Sequence, residues 1–345
     1  MHREMAIVFV PVAVVGLVLT GPVHSQDTRP AVKVTFQEER LGEEPARIAH
    51  NDRDAADDEV TNAYVARSGS KWMVVVNGKP GEGYDTIDQL LFSPDGKLVA
   101  FAAKAWLHIQ GQPGLEHDSF FKASLVFSRD GKHYAYGART GEKQYVVIDG
   151  ETGAEFDGIL AGTPVFSPDG ERVAYGARNG DKWMMVVDGQ CGPAFDGIAD
   201  PVFSPCGKRV AYGARNGDKQ FVVVDGEAGQ EYDGILEGSP VFNPSGKQVA
   251  YGAKKGSKWL VVLGDQEGPE FDGIGRDTLI FSADGKRLAY AAVNGAKQLV
   301  VVDGQPGPEY DGIYAGSLRF DDGSSLECLA LKEDIFFRVR CPPEK

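Results

Sequence analysis

The sequence lacks the long uninterrupted segments that helical proteins need, because glycine or proline interrupts nearly every stretch of ten residues. The 345 residues include 44 glycines and 19 prolines, and a helix interior tolerates neither residue well. Helical bundles and coiled coils are therefore excluded, and many short strands joined by tight turns are favoured. Apolar residues make up 42% of the chain, which is enough for a packed core.

Positive charge is also scarce. Lysine and arginine number 36 against 50 aspartates and glutamates, which gives a net charge of −14. A surface this acidic repels phosphate backbones and anionic lipids, so nucleic acid is not expected as a partner. The motifs HExxH and GxSxG do not occur in the sequence, and no metal or other cofactor is expected.

Long apolar runs are confined to the N-terminus. Residues 1–25 have the pattern of a secretory signal peptide, with an apolar run from Met5 to Leu19 and a small-residue cleavage site that ends at Ser25. Retention of this run as a membrane anchor is the alternative. No later run reaches ten apolar residues, so no membrane span is expected after cleavage. We therefore expect an exported protein, periplasmic or extracellular.

An internal repeat dominates the rest of the chain. A turn motif of the form FSPDG recurs at intervals of 35 to 39 residues, beginning at Phe92, Phe127, Phe166, Phe203, Phe242, Phe281 and Phe320. A lysine that opens an apolar run recurs with it, at Lys71, Lys104, Lys143, Lys182, Lys219, Lys258 and Lys297. An element of aromatic residue, Asp, Gly and Ile completes the unit at Phe156, Phe195, Tyr232, Phe271 and Tyr310.

Residues 163–198 show what one unit encodes. Four apolar segments follow one another: Pro164 to Phe166, Arg172 to Ala177, Trp183 to Val187, and a segment that ends at Phe195. The links between them carry typical turn residues, such as Pro168 with Gly170 and Asn179 with Gly180. Each unit therefore predicts a four-stranded antiparallel meander, which cannot bury both of its faces alone.

Stacking such meanders around an axis buries both faces of each sheet, and a closed ring leaves only short edges. The predicted fold is all-β, a β-propeller of four-stranded antiparallel blades over residues 60–341. Eight blades are favoured, with seven as the close alternative. In the preceding segment, residues 26–59, Ala31 to Phe36 could close the ring as the outer strand of the last blade. The carboxylate-rich residues 51–59 are expected to form an acidic linker.

The FSPDG turns and the strands of the KRVAYGA type that follow them resemble the WD-repeat-like blades of TolB and related exported bacterial proteins. The resemblance covers roughly residues 60–330. It implies a β-propeller fold. Blades of this type occur in periplasmic scaffolds and in the N-terminal domains of peptidases, so the resemblance does not specify an activity.

The candidate ligand-binding residues fall into two groups. Arg139, Arg178 and Arg215 recur at the hairpin between the second and third strands, where they could hold an anionic ligand; a belt of salt bridges between blades is the alternative. His108 and His117 lie in the unit that departs most from the repeat, and could bind a ligand or handle protons. Partly buried histidines in a degenerate blade are the alternative, because no metal-ligand spacing accompanies them.

Cysteine is rare, and the four present are expected to pair in an exported chain. Cys191 and Cys206 fall in turns on the same face of adjacent units. Cys328 and Cys341 flank a hairpin that turns near Glu333. We predict the disulfides Cys191 with Cys206 and Cys328 with Cys341; four free thiols are the alternative.

The function that these observations favour is binding. We expect an exported, monomeric, non-enzymatic β-propeller that binds a protein, a peptide or a cell-envelope component across one face or at the mouth of the channel. The alternative is a propeller enzyme of the lyase or glycosidase type. General acid and base catalysis would then require carboxylates gathered at the central channel.

Overall fold

The structure is a computed structural model. It describes residues 47–50, 62–87, 89–103, 106–109, 112–115, 117–121, 124–314 and 316–342. All of them lie in one compact unit, Leu41–Lys345. Strands and turns account for the regular structure in these ranges, which contain no helix and hence none able to cross a membrane.

The described residues form eight antiparallel sheets, which we number in chain order. Sheet 1 contains β1 (Arg47–His50), β2 (Asn62–Ser68), β3 (Lys71–Val76) and β4 (Lys79–Pro80). Sheet 2 contains β5 (Gln89–Phe92), β6 (Val99–Ala103), β7 (Trp106–Ile109) and β8 (Gln112–Pro113). Sheet 3 contains β9 (Ser119–Phe120), β10 (Val126–Phe127), β11 (Tyr134–Thr140), β12 (Lys143–Ile148) and β13 (Glu151–Thr152). Sheet 4 contains β14 (Gly158–Ile159), β15 (Val165–Phe166), β16 (Val173–Asn179), β17 (Lys182–Val187) and β18 (Gln190–Phe195).

The later sheets follow the same order. Sheet 5 contains β19 (Gly197–Ile198), β20 (Val202–Phe203), β21 (Val210–Asn216), β22 (Lys219–Val224) and β23 (Glu227–Ala228). Sheet 6 contains β24 (Gly234–Ile235), β25 (Val241–Phe242), β26 (Val249–Lys255), β27 (Lys258–Leu263) and β28 (Gln266–Glu267). Sheet 7 contains β29 (Gly273–Ile274), β30 (Ile280–Phe281), β31 (Leu288–Asn294), β32 (Lys297–Val302) and β33 (Gln305–Tyr310). Sheet 8 contains β34 (Gly312–Ile313), β35 (Arg319–Phe320), β36 (Leu326–Lys332) and β37 (Ile335–Cys341).

From sheet 3 onwards, the first strand of each sheet is divided into two short pieces that both pair with the second strand. In sheet 4, β14 pairs with the end of β16 at Arg178, and β15 pairs with its start at Val173. The second and third strands form the long hairpin, with Asn179 opposite Lys182. This is the predicted meander, and it confirms the all-β class and the four-stranded antiparallel blades. Eight sheets in the described residues fit eight blades, and the number of blades in a closed ring stays a prediction.

The N-terminal end of the sheet series contains a strand that the sequence analysis does not predict, and the C-terminal end has the three strands that it predicts. Sheet 1 gains β1, which pairs with β2 although residues 47–50 fall in the segment expected to precede the propeller. Sheet 8 ends at β37 and has no fourth strand among the described residues, and Ile335 and Phe336 are 58% and 66% exposed. The predicted signal peptide, the acidic linker and the ring-closing strand Ala31 to Phe36 lie outside the described residues.

The hydrophobic core lies between the sheets. The described residues contain seven buried clusters, and each of them joins two consecutive sheets, from sheets 1 and 2 through sheets 7 and 8. Between sheets 5 and 6, for example, Val222 packs with Tyr232 and Tyr251. Full burial of an apolar side chain contributes about 1.5–3 kcal/mol. The sheets therefore stabilise one another through both faces.

The FSPDG turns make a second contact between neighbouring sheets. In sheet 4, Ser167 Oγ donates a hydrogen bond of 2.5 Å to Asp169 Oδ1 and accepts one of 3.0 Å from Arg172 N. The Asp169 carboxylate lies against Gly207 in the turn of sheet 5, where a Cβ would lie 2.3 Å from its oxygens. Gly207 also has a φ of +74°. Both the close approach and the left-handed backbone require glycine there.

Replacing Gly207 by alanine tests this contact, and Gly217 provides a matched control. Gly217 has a φ of +57° but no atom within 4 Å of an added Cβ, so G217A should lose only about 1–2 kcal/mol through backbone strain. G207A must also displace the Asp169 carboxylate, which accepts a hydrogen bond from Ser167, so it should lose more stability than G217A. Urea unfolding of both variants measures the difference. Equal losses would show that the turn of sheet 5 does not contact Asp169.

Candidate functional site

The lysines and aspartates of the repeat meet beside the hairpins between the second and third strands. Lys182 Nζ of sheet 4 lies 2.6 Å from Asp196 Oδ1, and the Gly217 N–H of sheet 5 donates a 2.7 Å hydrogen bond to Asp196 Oδ2. This backbone donor and the lysine together hold the pKa of Asp196 below its usual value. The same contacts recur at Lys143–Asp157–Gly180, Lys219–Asp233–Gly256 and Lys258–Asp272–Gly295. Each aspartate therefore joins two sheets.

The candidate arginines lie at these same junctions. Arg178 donates hydrogen bonds to the carbonyl oxygens of Gly180 and Asp157, at 2.7 and 3.1 Å. Arg215 makes the equivalent bonds to Gly217 and Asp196, at 3.0 and 3.3 Å. Arg139 has the equivalent hairpin position in sheet 3, opposite Gln144, and is exposed.

The bonds of Arg178 and Arg215 hold the hairpin of their own sheet to the segment that leads into that sheet, and neither arginine forms a salt bridge among the described residues. Arg178 also lies over the ring of Trp183, 5.8 Å from its centroid. A ligand-binding role for Arg139, Arg178 and Arg215 stays a prediction.

His117 is held between two tyrosines. It is 4% exposed, its Nδ1 lies 2.7 Å from Tyr145 Oη, and its Nε2 lies 2.9 Å from Tyr136 Oη. Burial lowers the pKa of His117, because charging the ring there would cost its hydration. A neutral imidazole has one donor and one acceptor nitrogen, so the two tyrosines satisfy both.

His108 has a different environment. It is 4% exposed and stacks on Phe101, with ring centroids 4.6 Å apart. Its Nδ1 lies 3.3 Å from Tyr84 Oη of the segment that follows sheet 1, and its Nε2 has no hydrogen-bond partner among the described residues. Burial lowers the pKa of His108, and the charge of Glu82 opposes this effect.

The structure does not bring the two histidines together. His108 packs against Phe101 and Tyr84, whereas His117 packs against Tyr136 and Tyr145 of sheet 3. In the part of the chain that the structure describes, no three His, Cys, Asp or Glu side chains are grouped so that they could hold a metal ion. A ligand-binding role for His108 and His117 stays a prediction.

The structure forms neither predicted disulfide; all four cysteines, which lie in the described ranges, have free thiols. Cys206 takes the position that Asp169 has in the turn of sheet 4. Its Sγ lies 3.4 Å from Ser204 Oγ and against Gly246 of sheet 6. The thiol therefore faces sheet 6, whereas Cys191 belongs to sheet 4 on the other side.

The register of sheet 8 explains why Cys328 and Cys341 do not form the second predicted disulfide. Cys328 pairs with Val339, and Cys341 pairs with Leu326. The two cysteines are therefore offset by two residues along the hairpin and are not directly opposed. Burial raises the pKa of the Cys328 thiol to about 11, so this thiol stays protonated at neutral pH.

Sheet 5 departs from the repeat in its first strand. In sheets 4 and 6, nine residues run from the glycine of the first piece to the phenylalanine of the second, at 158–166 and 234–242, whereas sheet 5 has seven, at 197–203. The residue after the first piece is Leu160 in sheet 4 and Leu236 in sheet 6. In sheet 5 it is Ala199, whose N–H donates to Gly213 O at 2.8 Å, the same bond that the leucines make in their own sheets.

The two leucines fill the space above a glycine of the second strand. A Cβ on Gly176 would lie 2.6 Å from Leu160 Cβ, and a Cβ on Gly252 would lie 2.6 Å from Leu236 Cβ. Above Gly213, the nearest atom is Ala199 Cβ at 3.5 Å. The smaller side chain and the shorter strand leave a cavity of about 540 Å³ between sheets 5 and 6.

The walls of this cavity are mostly apolar. Ile198, Val202, Ala214, Ile235 and Pro240 line it, together with the polar side chains Arg215, Gln220 and Glu237. Of the candidate residues, Arg215 therefore lies at the cavity. The repeat pattern indicated the unit of sheet 2 as the exceptional one, whereas the structure has the cavity at sheet 5. The available signal was the interval of 37 residues between Phe166 and Phe203, where the later units have 39.

Comparisons with known proteins bear on the fold. The sequence matches no family model and no curated protein. Its structure is similar to a eukaryotic initiation factor, at 15% identity over 79% of this chain and 78% of that one, with a TM-score of 0.42. It is also similar to TolB from Acinetobacter baumannii, at 14% identity over 72% and 79% of the chains (TM-score 0.33). A third similar structure is the β-propeller domain of the Trilobed protease from Pyrococcus furiosus, at 11% identity over 65% and 82% (TM-score 0.35).

These likenesses concern fold alone. The paired strands and the packing between sheets define an all-β fold with propeller-type blades, and TolB and other propellers are among the structures to which it is similar.

Replacing His117 by phenylalanine, the residue at the equivalent positions 156 and 195, tests its buried neutral state. The unfolded chain takes up a proton on histidine near pH 6.5, whereas the folded chain does so only at lower pH. The free energy of unfolding should therefore fall as pH drops through 6.5. At pH 7.5, H117F should be less stable than the parent by about 1–3 kcal/mol, because the Tyr136 hydroxyl loses its partner and the Tyr145 hydroxyl keeps only Thr140. Between pH 7.5 and 5.5, the free energy of unfolding should fall less in H117F than in the parent. Urea unfolding of both proteins at pH 7.5 and 5.5 measures these differences. The same pH dependence in H117F and in the parent would contradict a buried, neutral His117.

Proposed function

We propose that this chain is an exported, non-enzymatic β-propeller that binds a segment of a partner protein or peptide of the cell envelope at the cavity between sheets 5 and 6. The observation that carries the proposal is the cavity itself. Its volume of about 540 Å³ is within the range of protein ligand sites, which are mostly apolar with a few polar groups at fixed places.

The distribution of charged residues supports this assignment. The recurring lysines and aspartates join neighbouring sheets, and the recurring arginines bond backbone carbonyls at the hairpins, so these charges are explained by the fold. The cavity exists because one sheet departs from the repeat. A site formed where a sheet departs from its neighbours is better suited to a single specific ligand than a feature that every sheet carries.

The expected location follows from residues 1–25, whose signal-peptide pattern supports export to the periplasm or beyond. The net charge of −14 favours protein partners over nucleic acid. We propose that the exported protein acts as a monomer.

Photo-crosslinking in cells tests the binding function. A benzoylphenylalanine replaces Glu237, whose side chain is 74% exposed at the rim of the cavity. The control places the same group at Ala228, which is exposed on the fourth strand of sheet 5. We expect an adduct with another protein from position 237 and none from position 228.

Two results would contradict the proposal: no adduct at 237, or equal adducts at both positions. Turnover of a glycan or peptide substrate by the purified chain, without any adduct, would favour the enzyme alternative.

A further inference from the structure

We infer that the cavity between sheets 5 and 6 takes one large apolar side chain, leucine or phenylalanine, presented by an extended segment of the partner protein. This inference rests on the proposed binding function and specifies what the site recognises.

The repeat itself shows what fits this space. In sheet 4, the side chain of Leu160 lies over Gly176 together with Ile198 from the next sheet; a Cβ on this glycine would be 2.9 Å from Leu160 Cδ2 and 3.0 Å from Ile198 Cδ1. In sheet 5, the equivalent glycine is Gly213, and Ile235 of the next sheet lines the cavity. The surroundings of a leucine are therefore present in sheet 5, but the leucine is not.

A phenylalanine fits the same position in sheet 3. Phe121 N donates to Gly137 O at 2.8 Å, and a Cβ on that glycine would lie 2.4 Å from Phe121 Cδ2. Sheet 6 again has a leucine, Leu236, which is 8% exposed. Sheets 3, 4 and 6 thus place large apolar side chains opposite a glycine of the second strand, whereas sheet 7 has Gly275 opposite Ala291. The sheets with a glycine in the second strand indicate the size and polarity of the missing group.

Arg215, Gln220 and Glu237 at the cavity have partners, and Asp200 and Ser239 also line it. Arg215 donates to the carbonyl oxygens of Gly217 and Asp196, Gln220 accepts from Ile235 N, and Glu237 pairs with Arg276 at 2.8 Å. An acidic side chain entering the cavity would lose its hydration and would meet the carboxylates of Asp200 and Glu237. An apolar side chain would be favoured by burial alone.

The shortened strand leaves room for the main chain that presents this side chain. Sheet 5 is two residues shorter than sheets 4 and 6 between its two first-strand pieces, and Ala199 and Val202 on either side of the deletion are exposed. The cavity therefore opens where residues of the first strand are missing. A segment of a partner can approach there with its side chain directed at Gly213.

The test uses capped amino acids as probes of the isolated exported chain. N-acetyl-leucinamide and N-acetyl-phenylalaninamide should shift the amide resonances of Gly213 and Gly238, with dissociation constants on the order of millimolar for ligands of this size. N-acetyl-alaninamide should bind at least about tenfold more weakly, because it lacks the buried carbons. N-acetyl-aspartamide should cause no shift.

Two matched variants test the site: one fills it in sheet 5, and the other opens the equivalent space in sheet 4. A199L restores the leucine of the flanking sheets, so it should abolish probe binding and raise the melting temperature by about 2 °C. L160A opens the same space in sheet 4, so N-acetyl-leucinamide should then also shift the resonance of Gly176. If L160A fails to fold, probe binding to A199L still tests the inference.

The outcomes separate the inference from the function on which it rests. Equal binding of the leucine and alanine probes, or unchanged binding of the probes to A199L, would contradict the inference that the cavity takes a large apolar side chain. If adducts still formed at position 237 in that case, the binding function would stand. Probe binding without any adduct would overturn the protein partner and leave a small-molecule pocket.

Discussion

A four-stranded sheet with apolar residues on both faces is unstable unless something covers each face, and this requirement shapes the whole molecule. The sheets meet this requirement by packing on one another, so that tyrosines such as Tyr175 and Tyr212 lie fully buried between them. Polar contacts then fix how each sheet sits on the next. Asp196 accepts from the lysine of one sheet and from a backbone N–H of its neighbour, and Asp169 lies against the turn glycine of the following sheet.

This arrangement explains why so many charged residues recur in the sequence. An exposed ion pair contributes only about 0–1 kcal/mol, so the lysine–aspartate pairs add little stability one by one. Their effect is geometric, because a carboxylate that also accepts a backbone hydrogen bond from the next sheet sets the register between the two sheets. The repeat fails at Ala199, and it is there that we propose the binding site.

The fold was predictable because its turns depend on residue types that the sequence shows directly. Pro168 and Gly170 mark one turn, and Asn179 and Gly180 mark the hairpin; the structure has strands on both sides of each. The strand β1 was missed because residues 47–50 precede the first FSPDG turn and carry no repeat motif. Only its pairing with β2 in the structure identifies residues 47–50 as a strand.

The details of the site were harder to predict because they depend on side-chain direction and on register. Cys206 and Cys191 fall on the same face of adjacent units, but the thiol of Cys206 points toward sheet 6. Cys328 and Cys341 flank one turn but differ by two residues in register. A prediction of the cavity would have required knowing that Ala199 and Gly213 face each other. The spacing of 37 residues between the turn motifs shows that a unit is shorter, but it does not show which residues face each other.

Amide hydrogen exchange tests most directly the claim that aspartates tie each sheet to its neighbour. Gly180, Gly217, Gly256 and Gly295 lie in exposed hairpins, yet their N–H groups donate to an aspartate at the preceding sheet junction. If the aspartates hold the sheets together, these amides should exchange as slowly as strand amides such as that of Val186. Exchange at the rate of an ordinary turn glycine such as Gly189 would contradict it.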